Sequence, residues 1–285
     1  MKSVALTDRA LVRIAGEDAE NLLQDVITCD VAALPGGTAR VGALLTPQGK
    51  ILYEFLVSRD GDDGFLFDLK ADQIPAFVQR MTMYRLRAKA VIEPVEEAVV
   101  HAFWDGDADR HCLVDERFSA VCPVYRVYRD PQADTASRED YDRLRIQVGV
   151  AEADQDYASS DAFPHDVLMD LNHGVSMTKG CYVGQEVVSR MQHRGTARRR
   201  LTRVSADKPL PGAGTPLEAG GKTIGQLGTT VGDTALALVR TDRAAKAMDD
   251  HTPIRAGDVP VTLTLPAWTG LRFPIAEVEG QSGRP

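Results

Sequence analysis

Lys179-Gly180-Cys181-Tyr182-Val183-Gly184-Gln185-Glu186 is the stretch around which this chain is best read. Two glycines frame a cysteine and a tyrosine, and an apolar helical pattern of Val187, Val188 and Met191 starts directly behind them. The segment therefore reads as a loop delivered into a helix. Gly180 and Gly184 let the backbone approach a ligand closely. Gln185 and Glu186 fall where a first helical turn leaves amide hydrogens unpaired and favours negative charge. A thiol held near such a terminus beside Lys179 is drawn toward its thiolate, which makes Cys181 and Lys179 candidate reactive groups. The same residues also allow a plainer reading, in which Cys181 is a small apolar side chain buried in a helix-entry turn.

The rest of the composition is that of an ordinary globular chain. With 285 residues, 44% hydrophobic and 26% charged, it can bury a substantial core and is long enough for two or three modules. A net charge of −8 argues against a protein that coats nucleic acid. No apolar run approaches the length of a membrane span, and Asp8 comes too early for a signal peptide, so the expected location is cytoplasmic, with no membrane partner. Cys29, Cys112, Cys122 and Cys181 lack the two-residue spacing of a zinc ribbon or a cluster-binding run, so no metal site is expected.

Taken in order, residues 10–14 alternate like a strand, and Asp18 opens an amphipathic helix with Ala19, Leu22, Leu23, Val26 and Ile27 on one face. Strand patterns at 39–45 and 50–57 are joined by Thr46-Pro47-Gln48-Gly49, which is hairpin chemistry. An acidic glycine turn at 60–64 leads to a strand over 65–69. A helix follows with Ile74, Phe77, Val78 and Met81 at helical spacing and Pro75 in its first turn. Residues 84–91 alternate cations with apolar residues and predict a strand presenting Arg85, Arg87 and Lys89 on one face. Further strands are expected at 95–103, 111–114 and 124–127, with a polar turn region at 104–110 and a linker at 131–137. Ser137 and Asp140 form a capping box for a helix running to about Val148. Residues 164–171 suggest a short helix. Beyond Arg203, turn signals recur about every ten residues among short apolar alternations, the pattern of a small antiparallel barrel. The expected class is α+β, with antiparallel sheets of the split βαβ, ferredoxin-like kind. Arg190, Arg194, Arg198, Arg199, Arg200 and Arg203 sit in a segment without acids, read either as a solvated linker or as a dock for an anionic tail or acidic partner.

Residues 179–200 resemble the signature of the YgfZ/IBA57/CAF17 family, folate-binding relatives of the glycine-cleavage T-protein that help mature iron–sulfur proteins. The resemblance extends to residues 11–34, with Gly16, Asp18, Leu23, Gln24, Thr28 and Asp30, to the block Gly42-Ala43-Leu44-Leu45-Thr46-Pro47-Gln48-Gly49-Lys50-Ile51-Leu52, and to Tyr84-Arg85-Leu86-Arg87-Ala88-Lys89. It implies a T-protein-like fold in which residues 1–200 form the folate-binding region, as two interleaved modules (1–45 with 92–200, and 46–91), and residues 201–285 form a β-barrel. It further implies tetrahydrofolate, or another folate, as the ligand and iron–sulfur client or assembly proteins as partners. Glu54, Gln147, Tyr182, Gln185, Glu186 and Arg194 would hold the folate. Glu54 matches the family's catalytic-site aspartate one methylene longer, whereas Gln147 replaces a glutamate of the T-proteins and cannot carry its charge. Cys181 marks the cluster-maturation branch. A folate-dependent aminomethyltransferase or demethylase is the alternative, and a scaffold using the arginine-rich segment is a third. The expectation that organises all of these is that Glu54 and Cys181 converge on one hollow shaped for a flat heterocycle.

Overall fold

The computed structural model describes residues 1–107, 111–128, 133–195 and 197–274. Nine strands, β1 (Lys2–Ala5), β2 (Arg9–Ala15), β3 (Thr38–Leu45), β4 (Ile51–Asp60), β5 (Gly64–Lys70), β6 (Val91–Val95), β7 (His101–Trp104), β8 (Leu113–Asp115) and β9 (Val124–Val127), form one sheet in the order β1-β7-β9-β8-β3-β4-β5-β2-β6. Neighbours are antiparallel except β3 and β8, whose parallel register sets Thr38 opposite Val114 and Ala39 opposite Asp115 and joins the two halves. Helices α1 (Ala19–Val26) and α2 (Ile74–Arg85) pack on one half, and α3 (Arg138–Val148) on the other. Helix α4 (Gln185–Arg194) leads into a second sheet of β10 (Arg199–Ser205), β11 (Pro216–Ala219), β12 (Lys222–Val231), β13 (Thr234–Arg240), β14 (Ile254–Ala256), β15 (Val259–Pro260) and β16 (Thr262–Thr264). Its order is β15-β14-β11-β12-β13-β10-β16. The two edge strands are separated only by Val261, so the sheet curls into a nearly closed barrel. Helix α5 (Thr241–Asp249) lies against it. The class is α+β, as the patterning predicts.

Local chemistry explains the elements that position the site. The β3–β4 hairpin closes where Gly49, at φ 79°, donates its amide to the Thr46 carbonyl at 2.8 Å, a left-handed position that glycine occupies without strain. Phe55, Phe67 and Phe77 meet behind it as an aromatic cluster joined by Tyr53, which stands edge-to-face to Phe77 at 5.5 Å. Helix α3 starts with the predicted capping box: Ser137 and Asp140 each accept the other's backbone amide. It ends at Gly149 in the left-handed conformation. There, an added Cβ would lie 2.4 Å from Pro266. With Trp268 Nε1 donating to the Val148 carbonyl at 2.8 Å, this seats residues 266–268 against α3.

Five local expectations change. The strand expected at 95–103 is broken at 96–100, with β6 ending at Val95 and β7 beginning at His101. Asp18 precedes α1 but makes no cap; its carboxylate accepts the Lys89 amide at 2.7 Å instead. Residues 84–91 are not a strand, because α2 runs through Arg85 and ends at Leu86 with φ 44°, and pairing with β2 begins only at Val91. The alternation of charge there decorates a helix end and a turn. Residues 164–171 form successive turns rather than a helix, since Leu168 takes φ 68° and breaks the helical path. Helix α5 falls where only strands were expected; its Ala244, Ala245, Ala247 and Met248 spacing is helical, and the barrel alternation on either side masks it. The end of the 104–110 turn and the start of the 131–137 linker lie outside the described residues.

Candidate functional site

The loop that carries Cys181 is fixed on both flanks. Thr28 donates its hydroxyl to the Gly174 carbonyl at 2.6 Å and accepts the Ala43 amide at 2.9 Å, and the Ser176 amide reaches the Thr28 carbonyl at 2.9 Å. Lys179 then reaches back. Its ammonium donates to the carbonyls of Gln24 and Cys29, both at 2.9 Å, and lies 5.2 Å from the centre of the Tyr182 ring. Burial pulls the Lys179 ammonium down to about 8, while the Cys29 thiol and the carboxylates of Asp30 and Asp25 favour its charged form. On the other flank Gly184, at φ 79°, approaches the hairpin turn so closely that an added Cβ would lie 2.7 Å from the Thr46 carbonyl oxygen. Tyr182 is buried in the core, with burial pushing its hydroxyl up to about 12 and no hydrogen-bond partner for it among the described residues. Between these anchors Cys181 is exposed, which overturns the reading of a buried apolar cysteine. The bonds of the Lys179 ammonium go to Gln24 and Cys29, so this cation acts as a clamp on the loop.

Glu54, by contrast, is buried. One carboxylate oxygen accepts the Tyr157 hydroxyl and the Ala153 amide, the latter at 2.8 Å; the other lies 3.7 Å from Arg117 Nη1. Burial raises its carboxyl above the usual range, and Arg117 and Tyr157 offset only part of that. Arg117 belongs to a lattice of buried charge. It grips Asp115 with two nitrogens at 2.9 and 2.7 Å; Arg126 shares Asp115 at 3.2 Å and lies 3.8 Å from Asp68, which also pairs with Arg9. Despite burial, Arg117 and Arg126 hold Asp115 below the usual carboxylate range. The lattice was not read from the sequence. Its signal was a charge at an inward position of an apolar strand, such as Arg126 beside Val124 in β9, both buried.

The hollow against Glu54 is lined by Arg117, Gly149, Val150, Met169 and Asn172 among others and has a volume of about 10 Å³. That is room for about one water molecule, and a pterin does not fit it in this form. Cys181 does not line it, so the expected convergence of Glu54 and Cys181 on one hollow is not found. Gln147 is exposed on α3, Glu186 is exposed and paired with Arg190, and Arg194 is exposed at the end of α4. Gln185, half-buried at the start of α4, donates to the Gly180 carbonyl at 3.5 Å. None of these four lines the Glu54 hollow. The arginine-rich segment is partly consumed internally: Arg199 pairs with Asp161 and Asp166, and Arg200 with Asp170. Among the described residues no three His, Cys, Asp or Glu side chains gather as a metal site requires.

Comparison with known proteins gives three findings. A family model described as the CAF17 C-terminal beta-barrel domain matches residues 198–271. The chain is 28% identical to the mitochondrial iron–sulfur cluster assembly factor IBA57 of Mus musculus and to that of Homo sapiens, in each case over 92% of this chain and 84% of the relative. Its fold is similar to that of the glycine cleavage system aminomethyltransferase T from Bartonella henselae, with a TM-score of 0.72 at 15% identity, over 95% of this chain and 87% of the other. The expectation of a cytoplasmic location is overturned by these relatives, which are mitochondrial by name. Among the described residues no helix is long and apolar enough to cross a membrane.

The Glu54 geometry carries a sign. Because the folded chain keeps the Glu54 proton to higher pH than the unfolded chain, this group's contribution to stability declines as pH rises from the ordinary carboxylate range through the raised folded value. Tyr157→Phe removes one donor from the ionised form. It is expected to cost about 1–3 kcal/mol at neutral pH and less once Glu54 is protonated, measured by urea denaturation at a series of pH values from neutral down through the ordinary carboxylate range. An equal loss throughout the series would show that Tyr157 does not serve the carboxylate.

Proposed function

We propose that this chain, a member of the IBA57/CAF17 family, serves the assembly or repair of iron–sulfur clusters in client proteins, and that Cys181 is the thiol it presents to a client or an assembly partner. The observation that supports this is the placement of one exposed cysteine on a loop clamped by Lys179 on one side and by the Gly184 approach on the other. A loop with that many anchors does not need them to expose an idle side chain; rigid presentation is what a group that meets a partner requires. On this reading the chain acts on clusters as an accessory to other proteins. The alternative of one-carbon transfer has no observation in its favour, since Glu54 is already committed to Tyr157, Ala153 and Arg117.

In cells lacking the native protein, Cys181→Ser is expected to leave the fold intact and to lower the activity of cluster-dependent enzymes several-fold, with enzymes lacking clusters unaffected. Full rescue by the serine variant would remove the thiol from this reading.

Tetrahydrofolate enters the reading on the family resemblance alone. The Glu54 hollow does not admit a pterin as it stands, so binding there requires the wall of Gly149, Val150, Ala151 and Met169 to move aside, and no chemical step is routed through it. Calorimetric titration of the pure protein with tetrahydrofolate to millimolar concentration is expected to give saturable heat. Absence of saturable heat would remove the folate and leave the cluster function standing.

A further inference from the structure

Two hollows of about 700 Å³ each lie on the barrel, and they share Thr223, Ile224 and Arg243. They adjoin along β12 and are taken together as one cleft, with the Tyr157 loop at one end and α5 at the other. The floor is apolar, with Ile224 and Leu238 buried beneath it. Five cations line it, Arg199, Arg240, Arg243, Lys222 and Lys246, against three carboxylates, Asp156, Asp161 and Asp250. This excess of positive charge occurs on a chain of net charge −8.

The pairing within the cleft shows which cations are available. Asp156 is held from behind by Arg145 at 2.8 Å and by the Thr229 amide at 2.7 Å. Asp161 is taken by Arg199, Asp250 by Lys246, and Arg240 is tied to Asp242 on α5. Every lining carboxylate thus has its own cation. Lys222 has no ion pair among the described residues, and Arg243 donates only one nitrogen, to the Thr223 carbonyl at 2.8 Å. Both are exposed. Two unspent cations over an apolar floor form a recognition surface for carboxylates carried on an apolar or backbone frame. The run from Lys222 to Gln226 along β12 covers about 13 Å at the strand rise, which suits an extended chain of about four residues and is too long for one compact anion.

We propose that this barrel cleft binds an extended acidic peptide segment, with Lys222 and Arg243 engaging its carboxylates. The site is separate from the Cys181 loop and does not depend on the role proposed for it.

The test uses fluorescein-labelled hexaglutamate as probe, followed by anisotropy with the full chain at low ionic strength. Saturable binding is expected, weakened by added salt and weakened at least tenfold by Lys222→Glu with Arg243→Glu. The control is Arg80→Glu with Arg87→Glu, an equal change of charge at exposed positions on and just after α2, and it should bind as wild type. No saturable binding by the wild type, or an equal loss in the control, would overturn the site. Displacement of the probe by pyrophosphate as effectively as by unlabelled hexaglutamate would overturn the peptide as its ligand.

Discussion

Charge that enters a sheet interior must be neutralised there, and the structure is arranged around one such settlement. Asp115, at the end of β8, is shared by Arg117 and Arg126. These two guanidiniums face Glu54 on β4 and Asp68 on β5, and so tie the two halves of the nine-stranded sheet across the short parallel pairing of β3 with β8. A second cluster continues toward the barrel. Glu152 is held well below the usual carboxylate range by Arg145 and Arg138 despite its burial, and Arg145 also grips Asp156, which accepts the Thr229 amide of β12. Such groups add little net stability over an apolar core of the same shape, but removing any one partner leaves a buried charge uncompensated. They therefore act as a register for the packing of the sheets.

That settlement also decides what the molecule presents. A carboxylate bound to Tyr157 and Ala153 and facing Arg117 is a structural member, and the space beside it admits about one water. The thiol lies outside this lattice. Its loop hangs on the turn at Thr28 and Cys29 and on the hairpin at Thr46 and Gly49, so the same early segments that build the sheet also set the position of a residue far along the chain. Cys29 itself is buried, its thiol pushed up to about 12 by burial. It contributes its backbone carbonyl to the clamp while its sulfur fills space against Gly42.

Much of this was legible in residue order, for identifiable reasons. The hairpin at 46–49, the capping box at Ser137 and the glycine-led start of α4 are fixed by contacts within a few residues, and such contacts leave their mark in the sequence. The strand expected at 84–91 failed because alternation in a short polar stretch is equally the mark of a fraying helix end, and only the tertiary position of β6 decides between them. The meeting of Asp115, Arg117, Glu54 and Tyr157 joins residues from about 2 to more than 100 positions apart. No local pattern reports such a meeting. Glu54 was singled out as a ligand-holding carboxylate because its chemistry is visible in the sequence; its partners, which give it other work, are not.

The central claim is that one sulfur, that of Cys181, is held out to partners while that of Cys29 stays closed in the apolar core. It is tested most directly by timed alkylation of the native protein with N-ethylmaleimide, resolving each cysteine by mass spectrometry. The account predicts that Cys181 is modified first, at a rate near that of an unstructured thiol, and that Cys29 is modified only as fast as the whole chain unfolds. Protection of Cys181, or modification of Cys29 at a comparable rate without unfolding, would contradict it.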